Sequence, residues 1–234
     1  MLIYDGITSD VFWLLGQNRF NNSKEFYDAN KAEINRLAIY PMRQIAQILA
    51  EDMIKIDEKM NLIPTKMVSR IRRDTRFTKD RTLYRENIWI RFMRPKADWP
   101  VYPCFWFEIQ PQGYFYGVSC FNANPRYMAF YRKALLERTD SFLYAVKKAE
   151  AAGAEFYADY YKREKKTDVP ENLKKYYNVK SMYFMAKSTD LSVLESDSII
   201  TELKTAYAAF TPMYQFLKDV ADEYIAQENE GDVL

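Results

Sequence analysis

Residues 66–96 read KMVSRIRRDTRFTKDRTLYRENIWIRFMRPK, and the rest of the chain is organised around this basic segment. Eleven of its residues are Lys or Arg and three are acidic, namely Asp74, Asp80 and Glu86. The segment therefore carries a formal charge of +8, whereas the rest of the chain sums to −6, because the whole is +2. One strongly basic segment lies within an otherwise acidic protein.

The basic segment also contains apolar and aromatic side chains, which a disordered basic tail would lack. They are Val68, Ile71, Phe77, Leu83, Tyr84, Ile88, Trp89, Ile90 and Phe92. This β-branched and aromatic content predicts strands over 68–73 and 87–93, joined by a polar loop over 74–85. Because loops held by a rigid sheet often carry binding groups, we expect the charged loop to be the functional part of the segment.

Helices are predicted on both sides of this region. Ser23 is expected to cap a long helix, and Pro41 should kink that helix or split it in two. Asn124 can cap a second helical part, with Pro125 at its first helical position. Further helices are expected over 149–161, with an interruption at Gly153, and over 196–210 and 212–226, and a short strand is expected over 181–186.

A β-hairpin is predicted after the basic segment. Residues 104–110 alternate in polarity as strands do, 111–113 form a turn signal, and 114–120 return as the next strand. If the turn has three residues, Cys104 faces Cys120. The order of helices, strands and helices predicts an α+β fold, with an antiparallel sheet of about four or five strands and helices packed on it. We expect a single domain over residues 1–234.

The composition excludes several functional classes. The chain has no histidine, which excludes Ser-His-Asp and Cys-His nucleophile systems and makes the usual zinc sites implausible, so no metal site is predicted. Its six glycines form no Gly-rich phosphate loop, and no cofactor can be assigned. No apolar run is long enough for a membrane span, no secretory signal is recognisable, and two cysteines make no disulfide framework, so we expect a cytoplasmic protein.

The central motif over 70–84 resembles the signature of a widespread bacterial family known as domain of unknown function 2461. That signature reads R-I-x-R-D-x-R-F-[ST]-K-D-K-[ST]-P-Y, and this chain has Arg81 and Leu83 where the family usually has Lys and Pro. Asn21 and Asn22, Pro41 and the turn at 111–113 also resemble family features, so the resemblance spans nearly the whole chain. It implies kinship with bacterial proteins and a single domain, and it implies no catalytic residue.

Three interpretations of the basic segment remain open. Its arginines could form structural ion pairs in a non-enzymatic interaction module, helped by cation–π contacts with aromatic rings. They could bind a phosphorylated or carboxylated ligand, since guanidinium groups hold such anions bidentately. They could contact nucleic acid, although the near-neutral overall charge favours this less.

The anion-site interpretation names eight candidate ligand-binding residues. They are Arg70, Arg73, Asp74, Arg76, Lys79, Asp80, Tyr84 and Glu108. Within this set the arginines and Lys79 would bind the anion, and Tyr84 would donate its hydroxyl group. The three carboxylates could act as a general base or hold a divalent metal, but a carboxylate beside arginines is more often a counter-ion. The sequence leaves open whether the protein is an enzyme and which oligomeric state it adopts.

Overall fold

The computed structural model describes residues 3–76, 78–95, 101–121, 123–163 and 168–231. Its helices and strands, in chain order, are α1 (Asp10–Asn21), α2 (Lys24–Ile34), α3 (Tyr40–Ile56), α4 (Pro64–Met67), β1 (Ile88–Phe92), β2 (Cys104–Gln110), β3 (Gly113–Cys120), α5 (Pro125–Glu137), α6 (Thr139–Ala151), β4 (Glu155–Tyr160), α7 (Lys174–Tyr177), β5 (Val179–Ser188) and α8 (Ser198–Gly231). A π-helical turn covers Asn35–Ile39, and 3₁₀ turns cover Glu171–Leu173 and Leu191–Glu195.

The strands form one antiparallel sheet in the order β1-β2-β3-β5-β4 within the described residues. At one edge, β4 pairs with β5 from Glu155 opposite Met185 to Tyr160 opposite Val179. Helices pack on this sheet, as α3 does on β1. The predicted α+β fold is therefore confirmed.

The helix boundaries that depend on local capping are confirmed. The hydroxyl oxygen of Ser23 accepts a hydrogen bond from the Phe26 N–H (3.1 Å) at the start of α2. The side-chain oxygen of Asn124 accepts one from the Tyr127 N–H (2.7 Å), and α5 begins at Pro125. Short polar side chains at these positions satisfy donors that the first helical turn leaves free.

Pro41 lies where the long helical stretch over 24–56 changes its hydrogen-bonding pattern, and the helix continues through this position. The kink or split expected from the sequence stays a prediction. Pro41 lies in the first turn of α3, directly after the π-helical turn over Asn35–Ile39. Proline has no N–H to donate to the preceding turn, and its ring crowds the carbonyl there, so the chain must change its hydrogen-bonding pattern at this point.

The hairpin differs from the three-residue turn considered above. Strand β2 ends at Gln110 and β3 begins at Gly113, so the turn holds two residues. The Cys104 Sγ accordingly lies 3.3 Å from the hydroxyl oxygen of Ser119. A one-residue change in register changes every cross-strand neighbour. Cys104 and Cys120 are both buried free thiols.

Two helix predictions in the second half were wrong. Residues 149–161 do not form one helix, because α6 ends at Ala151, Gly153 adopts a φ of 83°, and β4 follows. The two helices expected over 196–210 and 212–226 are one helix, α8, which contains Pro212. The strand expected over 181–186 is confirmed as part of β5.

The chain divides into two compact units. The first comprises Met1–Phe92, Trp106–Tyr116 and Lys187–Lys204, and the second comprises Met93–Phe105, Gly117–Ala186 and Thr205–Leu234. The single domain expected from the sequence stays a prediction.

Each unit has its own buried core. In the first unit the core is aliphatic around α3, where Met42, Ile45 and Leu49 are fully buried. In the second unit it is aromatic, with ring contacts that link Phe142, Tyr176, Phe156 and Phe184. The basic segment lies in the first unit as far as Phe92.

Candidate functional site: an arginine-lined cleft

The basic segment has two arms, residues 68–73 (the first arm) and 83–92 (the second arm), which run antiparallel to each other. Backbone N–H groups of Ser69, Arg73 and Arg85 donate to the carbonyl oxygens of Trp89 (2.8 Å), Leu83 (2.7 Å) and Ile71 (3.0 Å). The second arm contains β1, as predicted. The strand predicted over 68–73 is not formed, and this arm makes only isolated bridges, Val68 with Ile90 and Arg72 with Tyr84. The two bridges differ in register by two residues, so a regular ladder cannot continue through both.

The second arm is fixed to the first two helices. The Asn22 side-chain oxygen accepts a hydrogen bond from the Leu83 N–H at 2.6 Å. Asn22 itself has a φ of 48°, a left-handed conformation that asparagine tolerates at a helix C-terminus. The Tyr84 ring stacks on Tyr27, with centroids 5.0 Å apart. These contacts hold the second arm in place. Because the second arm pairs with the first, both ends of the loop between them are fixed.

Within the loop, two aspartates bind two arginines. Asp74 accepts hydrogen bonds from the Arg76 Nε and Nη2 atoms at 2.9 and 2.7 Å. These bonds and the Arg76 backbone N–H lower the pKa of Asp74 to about 2. Asp80 accepts from the Thr82 N–H (2.9 Å) and from Arg73 Nη1, and these donors hold its pKa well below the usual value. Both carboxylates are therefore fully ionised counter-ions at neutral pH.

An open cleft of about 600 Å³ lies beside this loop. The side chains and backbone that line it belong to Ser69, Arg70, Arg72, Arg73, Asp74, Thr75, Arg76, Arg85 and Trp89. Five arginines thus surround a space to which the described residues contribute one carboxylate, that of Asp74. This volume lies in the range of small-molecule sites in proteins.

The arginines of the cleft fall into two groups. Arg73 and Arg76 are matched by Asp80 and Asp74. Within the described part of the chain, Arg70, Arg72 and Arg85 have neither an ion pair nor a side-chain hydrogen bond. Arg70 and Arg72 are exposed to solvent. The cleft therefore presents guanidinium groups whose donors are free for a ligand.

Arg85 is the most constrained of the unmatched arginines. Its side chain is half-buried, and its guanidinium carbon lies 4.3 Å from the centroid of the Trp89 ring. Its Nε atom is buried without a hydrogen-bond partner among the described residues. Burial, together with the positive charges of Arg73, Arg91 and Arg70, lowers the pKa of Arg85, and Glu108 acts in the opposite direction. A buried donor without a partner destabilises the protein until something accepts its hydrogen bond.

The structure brings half of the predicted candidates together. Arg70, Arg73, Asp74 and Arg76 line the cleft. The other four are not among its lining residues. Lys79 is exposed, Asp80 binds Arg73, Tyr84 is buried against Tyr27, and Glu108 accepts a hydrogen bond from the Asn87 amide at 2.6 Å. Phe77, inside the same motif, lies outside the described residues.

Sequence reasoning missed Arg72 and Arg85 as candidates. Residues two apart in an extended segment lie on the same face, so the position of Arg72 two residues after Arg70 was a usable signal. Arg85 is the last residue of the predicted loop, and its backbone N–H pairs with the carbonyl oxygen of Ile71 on the opposite arm, which places it beside the cleft. No pattern in the sequence indicates that pairing.

Two further features bear on the site. Among the described residues, no group of three Cys, Asp or Glu side chains is placed to hold a metal ion. No helix in the ranges that the structure describes is both long and apolar enough to cross a membrane.

The model of a family described as "Conserved hypothetical protein (DUF2461)" matches residues 10–216, which include the whole arginine-lined cleft. The chain belongs to this family. No curated protein and no solved structure is significantly similar to it. Because the DUF2461 description names no activity, the function of this family member has to be argued from the cleft itself.

Proposed function

We propose that the arginine-lined cleft binds an anionic small molecule, phosphorylated or carboxylated. The observation that carries the proposal is the presence of three guanidinium groups, those of Arg70, Arg72 and Arg85, without a carboxylate partner in the described residues of one cleft. Guanidinium groups form two parallel hydrogen bonds with phosphate or carboxylate, and such charge-assisted bonds are about twice as strong as neutral ones.

The free protein gains little from this arrangement, which supports a ligand-binding purpose. Two unit charges about 6 Å apart repel by roughly 3 kcal/mol at an effective dielectric of about 20. The lowered pKa of Arg85 reports such repulsion together with burial. A bound anion would offset both effects at once, whereas among the described residues of the free protein the charge of Glu108 offsets them only in part.

The aspartates of the cleft favour binding over proton transfer. A general base works best when its pKa lies near the operating pH. Arg76 lowers the pKa of Asp74 to about 2, and hydrogen bonds from Thr82 and Arg73 hold the pKa of Asp80 well below its usual value. Both values are far below neutral pH. Both carboxylates therefore serve to position arginines, and binding is the function that we propose.

A second candidate function is a non-enzymatic interaction module in which the basic motif is a structural ion-pair network. The pairs Arg73–Asp80 and Arg76–Asp74 favour this alternative. The substitution Arg76→Ala separates the two readings, since a structural network predicts a clear loss of thermal stability. We expect an unchanged melting temperature, because the Arg76 side chain is 76% exposed and exposed pairs contribute little. A marked drop in melting temperature would favour the interaction module.

The proposal is tested by thermal shift and calorimetry with inorganic phosphate and citrate as probes. We expect both to stabilise the parent protein in proportion to the logarithm of their concentration. The double variant Arg70→Gln, Arg72→Gln should lose this response without any fall in melting temperature, because both side chains are exposed and have no carboxylate partner to lose. A matched control is Lys66→Gln, which removes one exposed positive charge on α4 outside the cleft. No response of the parent to either probe at millimolar concentration would refute the proposal.

Several sequence-based expectations stay predictions. These are a cytoplasmic location, a bacterial origin, and nucleic acid as the less favoured partner. A small molecule is favoured over nucleic acid, because the arginines without a partner line a single cleft and the whole chain has a net charge of only +2.

A further inference from the structure

We infer that the ligand of the cleft is an organic phosphate with two or more phosphate groups. This inference rests on the proposed function and adds the class of anion. Three features of the cleft lead to it, namely its residual charge, its size and the aromatic side chain of Trp89 in its lining.

The residual charge of the cleft exceeds what one singly charged anion can neutralise. Five arginines line it. Asp74 matches Arg76, Asp80 matches Arg73, and Glu108 lies close enough to Arg85 to favour its charged form. Two to three positive charges therefore remain. A carboxylate contributes one negative charge and a phosphate monoester about 1.5 to 2, so one phosphate group leaves up to about 1.5 positive charges that a second phosphate group would neutralise.

The free donors come from both arms of the basic segment. Arg70 and Arg72 belong to the first arm, and Arg85 belongs to the second, where Trp89 O and Ser69 N–H join the arms by a hydrogen bond. A guanidinium group offers a fork of donors to two oxygens of one phosphate. Arginines placed on two arms can grip two phosphate groups, whereas a single small anion would leave some of these donors unused.

The volume of the cleft and its aromatic wall indicate an organic body in addition to the phosphates. The cleft measures about 600 Å³, far more than a lone phosphate ion fills. Trp89 is its one aromatic lining residue among those described, and Arg85 lies over this ring. An indole beside a guanidinium group provides an apolar surface next to the charged end of the site.

The inference is tested by titrating the unmodified protein with orthophosphate, pyrophosphate, ribose 5-phosphate and fructose 1,6-bisphosphate, at constant ionic strength. We expect pyrophosphate to bind at least about tenfold more tightly than orthophosphate. Each added charge about 6 Å from a guanidinium group contributes about that factor at an effective dielectric between those of water and protein. Fructose 1,6-bisphosphate should bind more tightly than ribose 5-phosphate by a similar factor. The variant Arg85→Gln should reduce the preference for two phosphates, whereas Lys66→Gln should leave it unchanged.

The possible results distinguish the inference from the proposal on which it rests. Equal affinities for compounds with one and two phosphates would overturn the inference and leave the anion site intact. Binding of citrate but of no phosphate compound would do the same. Absence of binding by every probe would refute both. If a single-stranded oligonucleotide binds more tightly than any small probe, and the affinity increases with its length, the partner is a nucleic acid and the inference is overturned.

Discussion

Arg85 offers a test in which stability and binding should change in opposite directions. The substitution Arg85→Met removes the guanidinium group and keeps an unbranched side chain that can pack on Trp89. If the arginine serves a ligand, the free protein should become more stable and the affinity for phosphate should fall. If the arginine serves the fold, both stability and affinity should fall.

The expected gain in stability is small but measurable. Removing a buried donor without a partner relieves about 1–3 kcal/mol, and the low end applies because the side chain is only half-buried. Relief of repulsion from Arg73 and Arg91 acts in the same direction. Loss of the cation–π contact with Trp89, at 4.3 Å, costs about 0.5–1 kcal/mol. These two figures leave a gain of about 0–0.5 kcal/mol, and relief of repulsion raises the expected gain to at most about 1 kcal/mol, or up to roughly 2–4 °C in melting temperature for a chain of this size.

The affinity should change by a larger factor. One charge-assisted contact contributes about 1.5–3 kcal/mol, which corresponds to a loss of about 10- to 150-fold in affinity for pyrophosphate. Thermal denaturation and isothermal calorimetry on the same samples measure both quantities.

The matched control is Arg91→Met. Arg91 lies over the same Trp89 ring at 5.5 Å but does not line the cleft. The affinity of this variant for pyrophosphate should therefore fall by less than about threefold. A melting temperature lowered by several degrees in Arg85→Met would refute the reasoning, because it would show that the guanidinium group stabilises the free protein.

Three other predictions concern the sheet, the first helix and one buried thiol. The substitution Gly117→Ala should destabilise the protein by about 1–3 kcal/mol, because a Cβ there would clash with Phe184 O and force β3 and β5 apart. In Gly16→Ala the new Cβ meets nothing within 4 Å inside α1, so a gain of about 0.5–1 kcal/mol is expected, and denaturant unfolding compares the two variants. Burial raises the pKa of Cys120 to about 12, so its thiolate is negligible at pH 8 and a thiol reagent should label it only after unfolding. Rapid labelling of the native protein at that pH would contradict this.

The elements that could be predicted from the sequence are those set by neighbouring residues. Ser23 and Asn124 were recognisable as caps because a cap requires only a short polar side chain and the next helical turn. Pro41 was recognisable as a disturbance of the long helix for a similarly local reason, and a π-helical turn directly precedes its helix. The alternation over 104–110 predicted β2 because the period of a strand is visible in any sequence that buries one face.

The incorrect predictions share a different origin. Residues 155–160 read as helical, but their partners in β5 lie far along the chain, and cross-strand pairing decided their state. Pro212 should end a helix by local rules, yet α8 continues through it. On either side of this proline, Tyr207 and Tyr214 contact Phe105, so packing against a strand opposes the local break.

The sequence by itself determined that a folded, strongly basic segment exists and that its arginines outnumber its carboxylates, because charge and hydrophobicity are additive along a chain. It could not determine which arginines are matched. That outcome depends on the two-residue offset between the bridges at Val68 and Arg72, which brings Arg85 and Trp89 beside the first arm. Coulomb energies and hydrogen bonds depend on distances of a few ångströms, and only the tertiary structure specifies distances between residues that are remote in sequence.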